Sequence, residues 1–126
     1  MLSEVISEGI LVVDEQQLIT ASNSTTNTLF GYEDDELIGQ PMRILLPQKV
    51  RDHHSGLAQN FMHEGKARQM GKGRDLVGRR KDGGEFPLEI SLHPFKLRKK
   101  KYGLALIMDV TEQKKAEEAM EHWFRI

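Results

Sequence analysis

Five histidines, nineteen carboxylates and no cysteine set the chemistry open to this sequence of 126 residues. Without a thiol there is no disulfide scaffold, zinc ribbon, cysteine nucleophile or cysteine-based photochemistry. His53, His54, His63, His93 and His122 include no pair four apart on one helix, which argues against a structural zinc site. No G-x-S-x-G marks a serine nucleophile. Gly65 to Gly73 (GKARQMGKG) has the outline of a phosphate loop, but five residues separate Gly65 from Gly71 where four are needed. Gly73 also stands where a Ser or Thr would hold Mg²⁺. Nothing here points to an enzyme. The sharpest pairing left is His54, in Arg51-Asp-His-His54, with Arg74 twenty residues later in Gly71-Lys-Gly-Arg74.

His54 depends on a helix for its direction. Gln48 to His63 reads as one long helix, with Val50, His54, Leu57 and Phe61 spaced four, three and four so that they share a face. His53 falls about 100° round and is the more exposed of the pair. Arg74 depends on a strand: Met70, Arg74 and Leu76 share a parity on a strand running to about Arg80. Asp82-Gly83 is then a hairpin turn signal. Phe86, Leu88, Ile90 and Leu92 alternate with polar residues, Arg98 to Lys101 make a basic tip, and Tyr102, Leu104, Leu106, Met108 and Val110 alternate again.

The first half supplies the other wall. Gly9-Ile-Leu-Val-Val-Asp14 reads as a buried strand, and Leu18-Ile19-Thr20 as its hairpin partner across the turn Glu15-Gln-Gln17. Asn23 to Asn27 is rich in capping residues and leads to a terminator at Gly31. A short acidic turn to Gly39 and one more turn between Pro41 and Pro47 complete a layer of three short helical pieces. Asp109 or Thr111 caps a last helix, with Ala116, Met120, Trp123 and Phe124 along one side. The fold class is therefore α+β, with a five-stranded antiparallel sheet, a helical layer and a C-terminal helix. Residues 1–110 form one domain with a short lead-in helix at Leu2, Val5 and Ile6, and 111–126 form the exit helix. Eighteen Lys and Arg against nineteen Asp and Glu give a net charge of −1, which argues against nucleic acid as a partner. No apolar run reaches the roughly 18 residues of a membrane span. MLSEVISEG lacks the order of a secretory signal, so the expected location is cytoplasmic.

The sequence resembles the PAS sensor family. The matching residues are Gly9-Ile-Leu-Val-Val-Asp14, Asn23, Phe30-Gly31-Tyr32, Glu36-Leu-Ile-Gly39, Gly78-Arg-Arg-Lys-Asp-Gly83 with Glu85-Phe-Pro87, and Asp109-Val-Thr-Glu112, in the family's order. The resemblance implies a sheet cupping a small helical layer, a ligand cavity between them and a helix that carries signal. It further implies a sensory or dimerisation module of a two-component kinase, a cyclic-dinucleotide enzyme or a transcription regulator, with the effector outside this chain.

His54 and Arg74 resemble the haem-binding, oxygen-sensing branch of that family. There, a helix histidine is the proximal iron ligand and a strand arginine pairs with a propionate or bound oxygen. By that resemblance His54 is the candidate iron ligand of a b-type haem, Arg74 its partner, and Ile90 and Leu92 its apolar distal wall, with Gln69 and Met70 beside them. Gln69 and Lys72 depart from the branch, which has apolar residues at the first position and apolar or ligating ones at the second. Two other readings stand beside this one. In the first the chain is a ligand-free interaction module in which His54 is a hydrogen-bonded core residue. In the second it binds a small metabolite, with Arg74 or Gln69 as polar anchor. The exit-helix stripe either joins two copies in a homodimer or packs back on its own sheet. Arg98 to Lys101 is a solvated tip with the charge to meet an acidic partner or lipid headgroups.

Overall fold

The computed structural model describes residues 8–47, 68–70 and 76–124. The expected lead-in helix, the Gln48–His63 helix with His54, and the segment holding Arg74 lie outside those residues. β1 (Gly9–Val13) and β2 (Ile19–Ser22) form the expected hairpin. Asp14 makes its turn, with Oδ1 accepting from the backbone N–H groups of Gln16 at 2.9 Å and Leu18 at 3.0 Å. A short carboxylate that captures nearby backbone donors holds a turn on its own.

α1 (Ser24–Phe30) is capped by Asn23, whose Oδ1 accepts from Thr26 N–H at 3.0 Å. The same oxygen accepts from Ile10 N–H at 2.9 Å, so one side chain starts the helix and fastens it to β1. Gly9 makes that approach feasible, because a Cβ there would lie 2.6 Å from Thr26 Oγ1. Gly31 ends the helix in the left-handed region, as its position predicts. The last carbonyls of α1 are all paired. Asn27 C=O accepts from Tyr32 N–H and Thr28 C=O from Gly31 N–H, both local. Leu29 C=O accepts from Arg80 Nε at 3.1 Å and Phe30 C=O from Lys81 N–H at 2.8 Å. A distant hairpin therefore finishes the helix terminus.

Glu33 and Glu36 form the next turn reciprocally. Glu33 N–H donates to Glu36 Oε1 at 2.9 Å, and Glu36 N–H to the Glu33 carbonyl at 3.1 Å. A 3₁₀ helix (Met42–Leu45) follows Pro41, and Leu45 and Leu46 are buried. These are the three short helical pieces expected from the sequence.

β3 (Arg68–Met70), β4 (Val77–Arg79), β5 (Glu85–Leu97) and β6 (Lys100–Asp109) complete the sheet. Every pairing is antiparallel, in the order β2-β1-β6-β5, with β3 and β4 both on the far edge of β5. The sheet has five strand positions, the last filled by two short segments. The expectation of one continuous strand from Met70 to Arg80 is thus corrected. Met70 lies opposite Ile90 and Val77 opposite Pro87, so this edge advances seven positions while β5 advances three. Four extra residues interrupt the ladder.

A second correction concerns β6. Its inward residues are Gly103, Ala105 and Ile107, which are buried, while Leu104, Leu106 and Met108 lie half-buried on the opposite face. Both parities of this central strand are apolar, and pairing with β5 decides between them: Ile90 lies opposite Ile107 and Leu92 opposite Ala105. The core between sheet and helical layer is built on Leu11, Ile19, Phe30, Leu37, Leu88 and Ile107. Phe30 meets Phe86 edge-on, with centroids 5.2 Å apart.

β6 passes directly into α2 (Thr111–Phe124). Asp109 does the capping: its Oδ1 accepts from Thr111 N–H at 2.9 Å and from the Thr111 hydroxyl. Val110 is buried, donates its N–H to the Pro87 carbonyl, and accepts from Lys114 N–H. From Lys115 to Trp123 every residue is exposed, with Met120 at 57% and Trp123 at 74%. The helix leaves the domain and does not fold back on its own sheet.

Candidate functional site

A cavity of about 40 Å³ lies between the inner face of the sheet and the helical layer. Leu11, Leu88 and Ile107 come from three adjacent strands, and Phe30, Met42 and Leu45 close it from the helical side. Ile90 and Leu92, the apolar wall that the family resemblance implies, line it as well. Every described lining residue is apolar. About 40 Å³ exceeds the roughly 10–15 Å³ that one water needs, yet the described lining offers water no polar partner. Nor do these walls offer a polar metabolite anything to hydrogen-bond. They suit an apolar ligand or their own collapse.

The apolar character of the walls fits the macrocycle of a haem. The volume falls well short of the roughly 300 Å³ at which drug-sized ligand sites begin, so the walls would have to part to admit one. Of the remaining candidates, Met70 is in register with the wall residue Ile90, and Gln69 with Ser91, which is not a lining residue. His54 and Arg74 lie outside the described residues. Among the described residues no cluster of His, Asp and Glu has the arrangement to hold a metal.

A second constellation, which the sequence reading did not single out, links this cavity to the exit helix. Arg80 donates through Nε to the Leu29 carbonyl at the end of α1 and lies 4.2 Å from the Phe86 ring centroid. Its Nη2 is 3.9 Å from Asp109 Oδ2. One side chain thus touches the helical layer, the core and the residue that caps α2. Leu29 and Asp109 lie far away in the chain, so no local pattern announces the link between them. Lys81 beside it places Nζ 2.6 Å from Glu36 Oε2 and faces the Tyr32 ring. The hydrogen bond to Lys81, followed by the one from the Glu33 backbone, holds the Glu36 carboxyl below its ordinary value. The bond to Glu36 raises the Lys81 ammonium in turn. Both groups are solvated, so the pair is a modest clasp between the hairpin and the acidic turn.

The family model described as "PAS domain" matches residues 7–112, and the chain belongs to that family. It is similar to the sensor protein FixL of Bradyrhizobium diazoefficiens, at 26% identity over 92% of this chain and 23% of the relative. It is 29% identical to the oxygen sensor protein DosP of Escherichia coli, over 82% of this chain and 13% of the relative. It is also 29% identical to the cell-division control histidine kinase PdhS of Brucella ovis, over 90% of this chain and 11% of the relative. Among solved structures an RNA-binding light-oxygen-voltage receptor superposes with a TM-score of 0.74 at 22% identity, covering 99% of this chain and 36% of that one. The chain spans less than a quarter of the length of these curated relatives. It is a PAS sensory module of the kind found in sensor histidine kinases and oxygen sensors. Among the described residues no helix is long and apolar enough to cross a membrane.

Proposed function

We propose that this module senses an apolar ligand held between its sheet and helical layer and passes the change to α2. The observation that carries the reading is the cavity, apolar throughout its described lining and built on the same two strands, β5 and β6, that hold the exit motif. A ligand that parts Phe30 from Leu88 presses on Phe86, on Arg80 above it and so on Asp109, which caps α2. The shift is one of population between two placements of the exit helix. The leading ligand is b-type haem, with His54 as its axial ligand, Arg74 meeting a propionate or a bound gas, and Ile90 and Leu92 as apolar wall. When bound, haem would supply an iron centre that takes a diatomic gas. The effector, a kinase or a cyclic-dinucleotide enzyme, belongs to a longer polypeptide. Exposed Met120 and Trp123 join two copies as a homodimer through α2.

The small volume favours a second reading, a ligand-free module whose core is closed by its own side chains and whose task is to hold two effectors in register. The visible spectrum before and after hemin separates the two. Haem sensing predicts a saturable Soret band at one haem per chain that is lost in His54→Ala while the fold persists. No saturable band removes haem and leaves the interaction module.

A further inference from the structure

The far end of the β5–β6 hairpin runs on past the last described pairings of its neighbouring strands. Among the described residues, β1 pairs with β6 as far as Gly103, and β3 with β5 as far as Leu92. From Pro94 to Leu97 and from Lys100 to Tyr102 the two strands pair, among the described residues, with each other alone. At about 3.3 Å per residue this arm projects roughly 13 Å. Five of the chain's eighteen Lys and Arg lie at its end: Lys96, Arg98, Lys99, Lys100 and Lys101. None of the ion pairs among the described residues involves them. The carboxylate contact there is Glu15 Oε1, which accepts from the Lys101 backbone N–H at 3.1 Å. Phe95 at 38% and Leu97 at 58% exposure stand on the same arm.

The local choices work against the hairpin. The two loop residues, Arg98 at φ 52 and Lys99 at φ 68, both take the left-handed backbone that Asn-Gly fills with least strain. Lys96 lies directly opposite Lys101, a like-charge pair that weakens a ladder. Side chains that oppose local stability while gathering unpaired charge point to a function outside the domain. We propose that this arm docks on an anionic lipid bilayer, with its cations at the headgroups and Leu97 entering the apolar boundary. The exposed leucine among the cations favours lipid over a merely acidic surface. Phe95 and Tyr102 stack on each other, with centroids 5.3 Å apart, so one face of each ring is already covered.

The test is co-sedimentation of the 126-residue chain with phosphatidylcholine vesicles containing phosphatidylserine at about one lipid in three, against phosphatidylcholine alone. Binding is expected to the anionic vesicles only and to fall with added salt. Replacing the loop by Arg98→Asn with Lys99→Gly removes two charges and relieves both positive-φ residues. Its melting temperature should hold or rise while vesicle partitioning drops about thirtyfold. Leu97→Ser should weaken binding with all five cations in place. Absence of binding to the anionic vesicles at low salt overturns the proposal, as does binding undiminished in the loop variant. Preference for heparin or single-stranded RNA, with Leu97→Ser without effect, overturns it in favour of a general polyanion patch.

Discussion

Replacing Arg80 with methionine keeps the apolar stem but removes three interactions of unequal size. The Nε–H bond to the Leu29 carbonyl, at 3.1 Å, is charge-assisted, and such bonds contribute about 1.5–3 kcal/mol. The contact with the Phe86 ring, 4.2 Å to the centroid, adds about 0.5–1 kcal/mol at a site of this exposure. The approach to Asp109 is 3.9 Å between side chains 35% and 27% exposed, where an ion pair contributes about 0–1 kcal/mol. The helix-end hydrogen bond therefore dominates. Arg80→Met should cost about 2–5 kcal/mol, measured as a fall in the urea midpoint at unchanged slope. Asp109→Asn keeps an oxygen for Thr111 N–H and should cost under about 0.5 kcal/mol, with a double-mutant coupling equally small. A loss below about 1 kcal/mol in Arg80→Met would sink this ordering, because the Leu29 carbonyl would then not depend on it. A coupling above about 1.5 kcal/mol would sink it too, by making the ion pair the principal bond.

Gly78→Ala would drive a Cβ into Leu88 Cδ2 and to within 3.1 and 3.2 Å of ring atoms of Phe30 and Phe86. Overpacking of about 1–3 kcal/mol outweighs the roughly 0.4–1 kcal/mol gained by stiffening the unfolded chain, so the melting temperature should fall by several degrees. A melting temperature at or above that of the parent refutes the packing. For the Glu36–Lys81 clasp, the lowered carboxyl stabilises fully above its ordinary value of 4.5, and the effect is lost as pH falls through the lowered value. The raised ammonium stabilises below its ordinary value of 10.5, and that effect is lost as pH rises through the raised value. Glu36→Gln should therefore melt below the parent at neutral pH and together with it near pH 2, and a gap persisting there would assign the effect to something other than charge.

The parts legible in the sequence were those whose signals act on near neighbours. Asp14 captures donors two and four residues on, Asn23 caps three residues on, and Gly31 and Gly83 take the left-handed turns that glycine permits. Alternation placed Ile90 and Leu92 on one face of β5 for the same reason, since that face is consistently apolar, while their place in a cavity wall came from the family resemblance. β6 misled because Leu104 and Leu106 are as apolar as Ala105 and Ile107, and hydrophobicity cannot choose between equal faces. The break between β3 and β4 left no trace in the parity, because four extra residues are an even number and return the chain to the same face. Arg80 was hidden for a different reason. Its partners at positions 29, 86 and 109 belong to three other elements, and only the folded chain brings them to one guanidinium.

The pairing of β1 with β6 sets Gly9 against Ile107, so the centre of the sheet joins segments made nearly a hundred residues apart. At ribosomal rates of roughly 5–20 residues per second, the first hairpin and α1 wait about 5–20 seconds for their partner strand. What holds them meanwhile is local. The Asn23 side chain bonds Ile10, Thr26 and the Glu8 carbonyl, all within the earliest part of the fold. α2 follows directly on the strand that closes the sheet. Its direction is therefore set only after β6 has docked, and a nascent or misfolded module has no oriented exit helix.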